Sequence, residues 1–246
     1  MNNNDKIYEK RARLYPVILS MLIPFILYII IGNNILSSFD KLERIWNILI
    51  SIIPASLVTA AIGYGVKNLV RSTSKAVFQF PLFKEDETNM PTTEFLLHST
   101  GILSRQNKQL IRNKIKLNLG LELMDEEQER LNEREARLII VDAVRRIREK
   151  TRGKQILFNY NCNYGFVRNF MGANVWSLLI VIVLMLFNIF MPIINIGITI
   201  GAAILIIISF PVAFYLLKLN GREYARQLFT VYMELEGSRI KEENIS

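Results

Sequence analysis

Cysteine and histidine are nearly missing from this chain: its 246 residues include one of each, Cys162 and His98. A single cysteine excludes an intramolecular disulfide and any cysteine-built zinc site, and a single histidine removes most histidine-based metal and acid–base schemes. A glycine-rich phosphate loop is also missing. Thr151-Arg152-Gly153-Lys154 has no glycine pair and no Lys-Ser/Thr ending, so nucleotide hydrolysis is not indicated. The third absence is of charge. Four long apolar stretches hold no Asp, Glu, Lys, Arg or His in their interiors. Intramembrane ionisable residues are the usual marks of proton relays and ion-coupled carriers, so a coupled transporter is disfavoured.

What is present is segregated. The chain is 51% hydrophobic yet 21% charged, a combination that calls for membrane spans beside a polar domain. Each apolar stretch approaches the roughly 20 helical residues that a bilayer core requires. The reading is a mainly α membrane protein with four transmembrane helices as two hairpins and a cytoplasmic α(+β) insert between the second and third spans. The expected boundaries are a cytoplasmic N-tail 1–13, a first span 14–32, a short external loop 33–45, a second span 46–65 and the insert 66–172. A third span 173–191, an external turn 192–195, a fourth span 196–218 and an amphipathic cytoplasmic C-tail 219–246 follow. Basic residues set the orientation. Lys6, Lys10, Arg11 and Arg13 precede the first span, Lys67, Arg71 and Lys75 follow the second, Arg168 precedes the third, and Lys218, Arg222 and Arg226 follow the fourth. The loops between carry no basic excess, so both termini are expected on the cytoplasmic side. Pro16 and Pro24 inside the first span are tolerable where neighbouring helices or water satisfy the carbonyls they free.

The insert is basic, with 19 Lys or Arg against 13 Asp or Glu between residues 66 and 168. Its start, 75–83, is aromatic and β-permissive and is broken by Pro81; an acidic turn 84–89 follows. Pro91-Thr92-Thr93-Glu94 reads as a helix start and Ser104 to Leu123 as a helix ended by Gly120. The best helix runs over 125–151, with acids first and bases last, the pairs Glu126–Arg130, Glu133–Arg137 and Asp142–Arg146, and a stripe of Leu131, Leu138, Val141, Val144 and Ile147. Gln155 to Phe158 is a strand candidate. In the tail, Tyr224, Leu228, Val231 and Leu235 share a helical face that lies at the membrane surface or packs on the insert.

No residue is expected to be catalytic, cofactor-binding or metal-ligating. His98 has Ser99, Thr100 and Ser104 nearby but no signalled oxyanion site, which favours a structural histidine, and Cys162 reads as a small buried residue. Arg145, Arg146, Arg148 and Arg152 could contact an anion, although interleaved acids and the nearby membrane favour lipid headgroups over nucleic acid. Asn188, Asn195, Gly197, Thr199 and Gly201 are expected to pack the spans or line a pore, with Gly197-x-x-x-Gly201 allowing close helix approach. Asn159 to Met171 reads as the hinge between insert and third span. Within it Asn163, Tyr164, Gly165, Phe166, Arg168 and Asn169 are expected to couple the two, Arg168 as anchor and Gly165 as a turn.

The run Asn161-x-Asn163-Tyr164-Gly165-Phe166-x-Arg168-Asn169, together with Pro91-Thr92-Thr93 and Val144 to Arg152, resembles a signature of uncharacterised bacterial four-span membrane proteins. The architecture also resembles membrane effectors of bacterial antiphage defence. These resemblances imply an inner-membrane, multi-pass homo-oligomer that perturbs or permeabilises the membrane when its insert is triggered. The alternative is a non-enzymatic membrane-anchored sensor or accessory subunit. Expected partners are membrane lipids, further copies of the chain, and a soluble cytoplasmic protein or nucleotide signal; no cofactor is expected.

Overall fold

The computed structural model describes residues 3–36, 55–190, 192 and 194–235, with the side chains of residues 31–62 left aside. Among the described residues the protein is mainly helical and contains no strand. Three helices are long and apolar enough to cross a membrane: Asn3–Ile30, Gln155–Phe190 and Ile196–Glu234. Of the second predicted span, 46–65, residues 46–54 lie outside the described residues and 55–65 are helical; of the loop before it, 37–45 lie outside them.

The elements in chain order are α1 (Asn3–Tyr8), a π-helical turn Glu9–Leu14, α2 (Tyr15–Leu36), α3 (Ala55–Ser74), a π-helical turn Lys75–Gln79, α4 (Phe80–Phe83), α5 (Pro91–Glu94), α6 (Arg105–Leu119), α7 (Glu126–Leu131), α8 (Glu133–Lys150), α9 (Gln155–Phe190) and α10 (Ile196–Glu234). They divide into two compact units. The bundle unit comprises Met1–Phe78 and Gly165–Leu216, and the helical unit comprises Gln79–Tyr164 and Leu217–Ser246.

The β-permissive run 75–83 and the strand candidate Gln155 to Phe158 are both helical. In 75–83 no second strand among the described residues offers a ladder, and Pro81 falls near the start of α4, which continues directly from the π-helical turn Lys75–Gln79. Gln155 to Phe158 opens α9, which runs through the expected hinge to Phe190 without a break. The expected helix 125–151 is two helices. Asp125 caps α7 through a capping box with Gln128, and Asn132, at φ −140° and ψ 70°, ends α7 and caps α8 by accepting from the Glu135 N–H at 3.3 Å. That break takes Leu131 out of the apolar stripe and leaves it 77% exposed. The ion pairs also differ from the expected set: Glu133–Arg137 forms at 2.7 Å, whereas Glu126 pairs with Arg105 and Asp142 with Arg145.

Among the described residues the helical unit has an apolar core. Phe95, Leu96 and Leu97, Ile111 and Ile115 of α6, Ile140, Val144 and Ile147 of α8, Leu157 of α9, and Ala225, Leu228, Phe229 and Tyr232 of α10 pack together. The amphipathic face read in the tail is thus buried in protein, with Phe229 stacked on Phe95 at 6.1 Å.

Candidate functional site

The bundle unit is organised by the prolines of its first long helix. A proline has no N–H for the carbonyl four residues back, so Pro16 leaves Ala12 O, and Pro24 leaves Ser20 O, without that helical donor. In an apolar surrounding an unmet carbonyl costs several kcal/mol. Both are met by α9. The Asn169 side-chain amide donates to Ala12 O at 2.5 Å, and the Ser177 hydroxyl donates to Ser20 O at 2.8 Å. Each pair of acceptors and donors is eight residues apart along its helix, a rise of about 12 Å, so the two helices meet in register. The backbone just before Pro16 is π-helical, the local adjustment that accompanies a broken helical ladder.

Side chains extend this lock to the other helices of the unit. Ser20 donates its hydroxyl to the Asn174 carbonyl oxygen, and the Asn174 amide donates to Ser209 of α10 at 2.7 Å. On α3, Ser74 donates to Asn169 at 3.1 Å, and Thr73 accepts from the Trp176 indole at 3.0 Å. Ser20, Ser74, Asn169, Asn174 and Ser177 are all buried. Close approach depends on two glycines. A Cβ on Gly165 would lie 2.8 Å from the Tyr8 hydroxyl oxygen, and one on Gly172 would lie 2.6 Å from Val70 O. Gly165, Asn169 and Gly172 follow one another at i, i+4 and i+7, one face of α9. Apolar clusters fill the space between polar levels: Val17, Val70 and Ala173, then Leu27, Val181, Ala202 and Ile206. Residue numbers of α2 and α9 rise together through these contacts, so α2 and α9 run parallel, and those of α3 and α10 fall.

The residues expected to act as a hinge are distributed along continuous helix. Gly165 is a site of helix contact and makes no turn. Asn169 and Arg168 are buried, Phe166 stacks on Phe170 with ring centroids 6.3 Å apart, and Asn163 is exposed. Asn188 closes the α9–α10 connection, exchanging hydrogen bonds with the Ile194 backbone at 2.8 and 3.0 Å, and Asn195 accepts from the Gly197 N–H. Thr199 is buried and donates to Ile196 O, and a Cβ on Gly201 would meet no described atom within 4 Å. Each of the four arginines read as anion contacts has a partner within the protein. Arg145 pairs with Asp142, Arg152 with Glu149 and Arg148 with Glu87, while Arg146 donates to Leu119 O. Gly172, Asn174 and Ser177 were not singled out in the sequence. Of these only Ser177 has a signal in the sequence, its eight-residue spacing from Asn169, which equals that of Pro16 and Pro24.

In the helical unit three buried charges hold the loop after α5. Glu129 accepts from the His98 and Ser99 N–H groups, each at 3.0 Å. Arg112 donates to Leu96 O at 2.6 Å and to Met124 O, and Lys108 donates to Leu97 O and, at 2.7 Å, to Thr100 O. Burial pulls both cations below their ordinary pKa, against the attraction of Glu129. Burial, then Arg112, lowers the pKa of His98, so the ring is neutral at pH 7. The loop has its backbone satisfied by the network, and no described group of His, Cys, Asp and Glu is placed to hold a metal ion.

Three membrane-length apolar helices, two of them joined through proline-freed carbonyls, define a helical membrane protein. No family model, curated protein or solved structure matches the chain.

Proposed function

We propose that this chain is a non-enzymatic effector of a bacterial inner membrane, which assembles into a homo-oligomer and permeabilises the bilayer when its helical unit receives a signal. One observation carries the reading. α9 and α10 each supply both the core of the helical unit, through Leu157 and through Ala225 to Tyr232, and the polar lock of the bundle, through Asn169, Asn174 and Ser177 and through Ser209. A signal that repacks the one core therefore reaches the other within continuous helix. The signal is a soluble cytoplasmic protein or a nucleotide.

The parallel course of α2 and α9 supports four crossings. Two membrane helices running the same way require the chain to return between them, and the falling direction of α3 fits that return. The basic flanks then place both termini in the cytoplasm. Gly201, with open space around it among the described residues, is offered to a second copy.

The test is production of the full chain in bacteria with a potential-sensitive dye, beside its size in detergent. Depolarisation together with an assembly larger than one chain supports the effector. A monomer that leaves the potential intact even at high abundance overturns it and favours the anchored sensor, whose spans hold the helical unit at the membrane and nothing more.

A further inference from the structure

The turn between α4 and α5 is held in a conformation that its residues do not favour. Lys84 has φ 57° with ψ 159°, a combination found almost only in glycine, and Glu87 has φ 62°. Strain of this kind persists only where the surroundings impose it. Here they do. Arg137 of α8 donates to Thr88 O at 2.9 Å, Arg148 binds the Glu87 carboxylate at 2.8 Å, Thr93 donates to Glu87 O at 3.1 Å, and the Asn89 N–H donates to Phe83 O at 3.2 Å.

The turn so fixed forms one wall of a cleft of about 450 Å³, and the first turns of α8 form the other. Lys84, Asp86, Thr88 and Asn89 face Glu133, Arg134 and Arg137. None of the seven is apolar or aromatic, so the cleft has nothing to stack a base on and nothing to hold an acyl chain. Its charges are of both signs. Thr88 donates its hydroxyl and its N–H to Asp86 and lowers the Asp86 pKa, and Glu133 pairs with Arg137 at 2.7 Å. A bare phosphate would face both carboxylates. A ligand that brings a phosphate for Lys84 and Arg134, and hydroxyl groups to donate to Asp86 and Glu133, satisfies both sets.

We infer that this cleft is a binding site for a polyol phosphate, either a free sugar or glycerol phosphate or the headgroup of a phospholipid. The site lies in the helical unit and stands independently of the membrane activity proposed above.

Calorimetric titration of the full chain in phosphatidylcholine nanodiscs tests it, with a hexose phosphate, glycerol phosphate, inorganic phosphate and hexose as probes. A polyol phosphate should bind at least about tenfold more tightly than inorganic phosphate or hexose, as expected when both charged and hydroxyl contacts are made. Lys84→Ala and Arg134→Ala should each weaken it by about fivefold or more, and Arg145→Ala should leave it unchanged. Nanodiscs containing phosphatidylglycerol separate the sources: loss of glycerol phosphate binding there identifies the headgroup, and unchanged binding identifies the free ligand. Equal affinity for inorganic phosphate and the polyol phosphates, or affinity indifferent to Arg134→Ala in a folded protein, overturns the proposal.

Discussion

At the scale of single residues, the account rests on carbonyls that prolines leave open. Ser177→Ala removes the donor to Ser20 O and should cost about 1 kcal/mol in the detergent-solubilised protein, the usual size of a hydrogen bond between membrane helices. In a Pro24→Ala background the new Ala N–H takes over Ser20 O, so the same change should cost much less. Equal costs in the two backgrounds, by thermal unfolding, would show that Ser177 does not serve that carbonyl. Glu129→Gln should destabilise the protein by about 3 kcal/mol, because Lys108 and Arg112 then share a buried site without their counter-charge. His98 gives a smaller effect with a definite sign. Its folded pKa lies below its unfolded value of about 6.5, so its contribution is unchanged above that pH and becomes destabilising as pH falls through the folded pKa. His98→Gln should therefore flatten part of the acid limb of the stability profile, and an unaltered limb would contradict the assignment.

At the scale of elements, the apolar stretches were legible because length and lack of charge are properties of composition. So was the need to satisfy carbonyls freed by Pro16 and Pro24, although not by which residues. Which residues do so depends on register between helices over a hundred residues apart, which no local pattern carries. Gly165 shows the same limit: a glycine after an Asn and Tyr cluster reads as a turn, whereas its use is to admit Tyr8 and Ala12 against a straight helix. The aromatic run 75–83 and the start of α9 read as strands on propensity and fold as helix, since sheet propensity is realised only with a neighbouring strand. The α7–α8 break was also hidden, because Asn132 is an ordinary exposed helix residue until its side chain is seen capping α8. Two glycine substitutions separate inside from outside at this scale. Gly172→Val drives a side chain into the Val70 carbonyl and Ser74, and should abolish folded protein in the membrane fraction. Gly201→Val should insert and fold, and should reduce the assembly size if that face meets a second copy. An undiminished yield of folded Gly172→Val would remove the close α3–α9 contact from the account.

At the scale of the whole molecule, the proposed membrane activity requires the lock of the bundle to open. Among the described residues the buried hydrogen bonds that close it run through α9, which makes that helix the element to hold still. Replacing Ser20 and Asn174, whose side chains are hydrogen bonded, by cysteine in a Cys162→Ala background allows α2 and α9 to be joined covalently and released by a reductant. The measurement is membrane potential in cells producing this variant, with the cross-link confirmed by gel mobility. The account predicts an intact potential while the bond is closed and depolarisation when it is reduced. Equal depolarisation in the cross-linked and reduced states would contradict it.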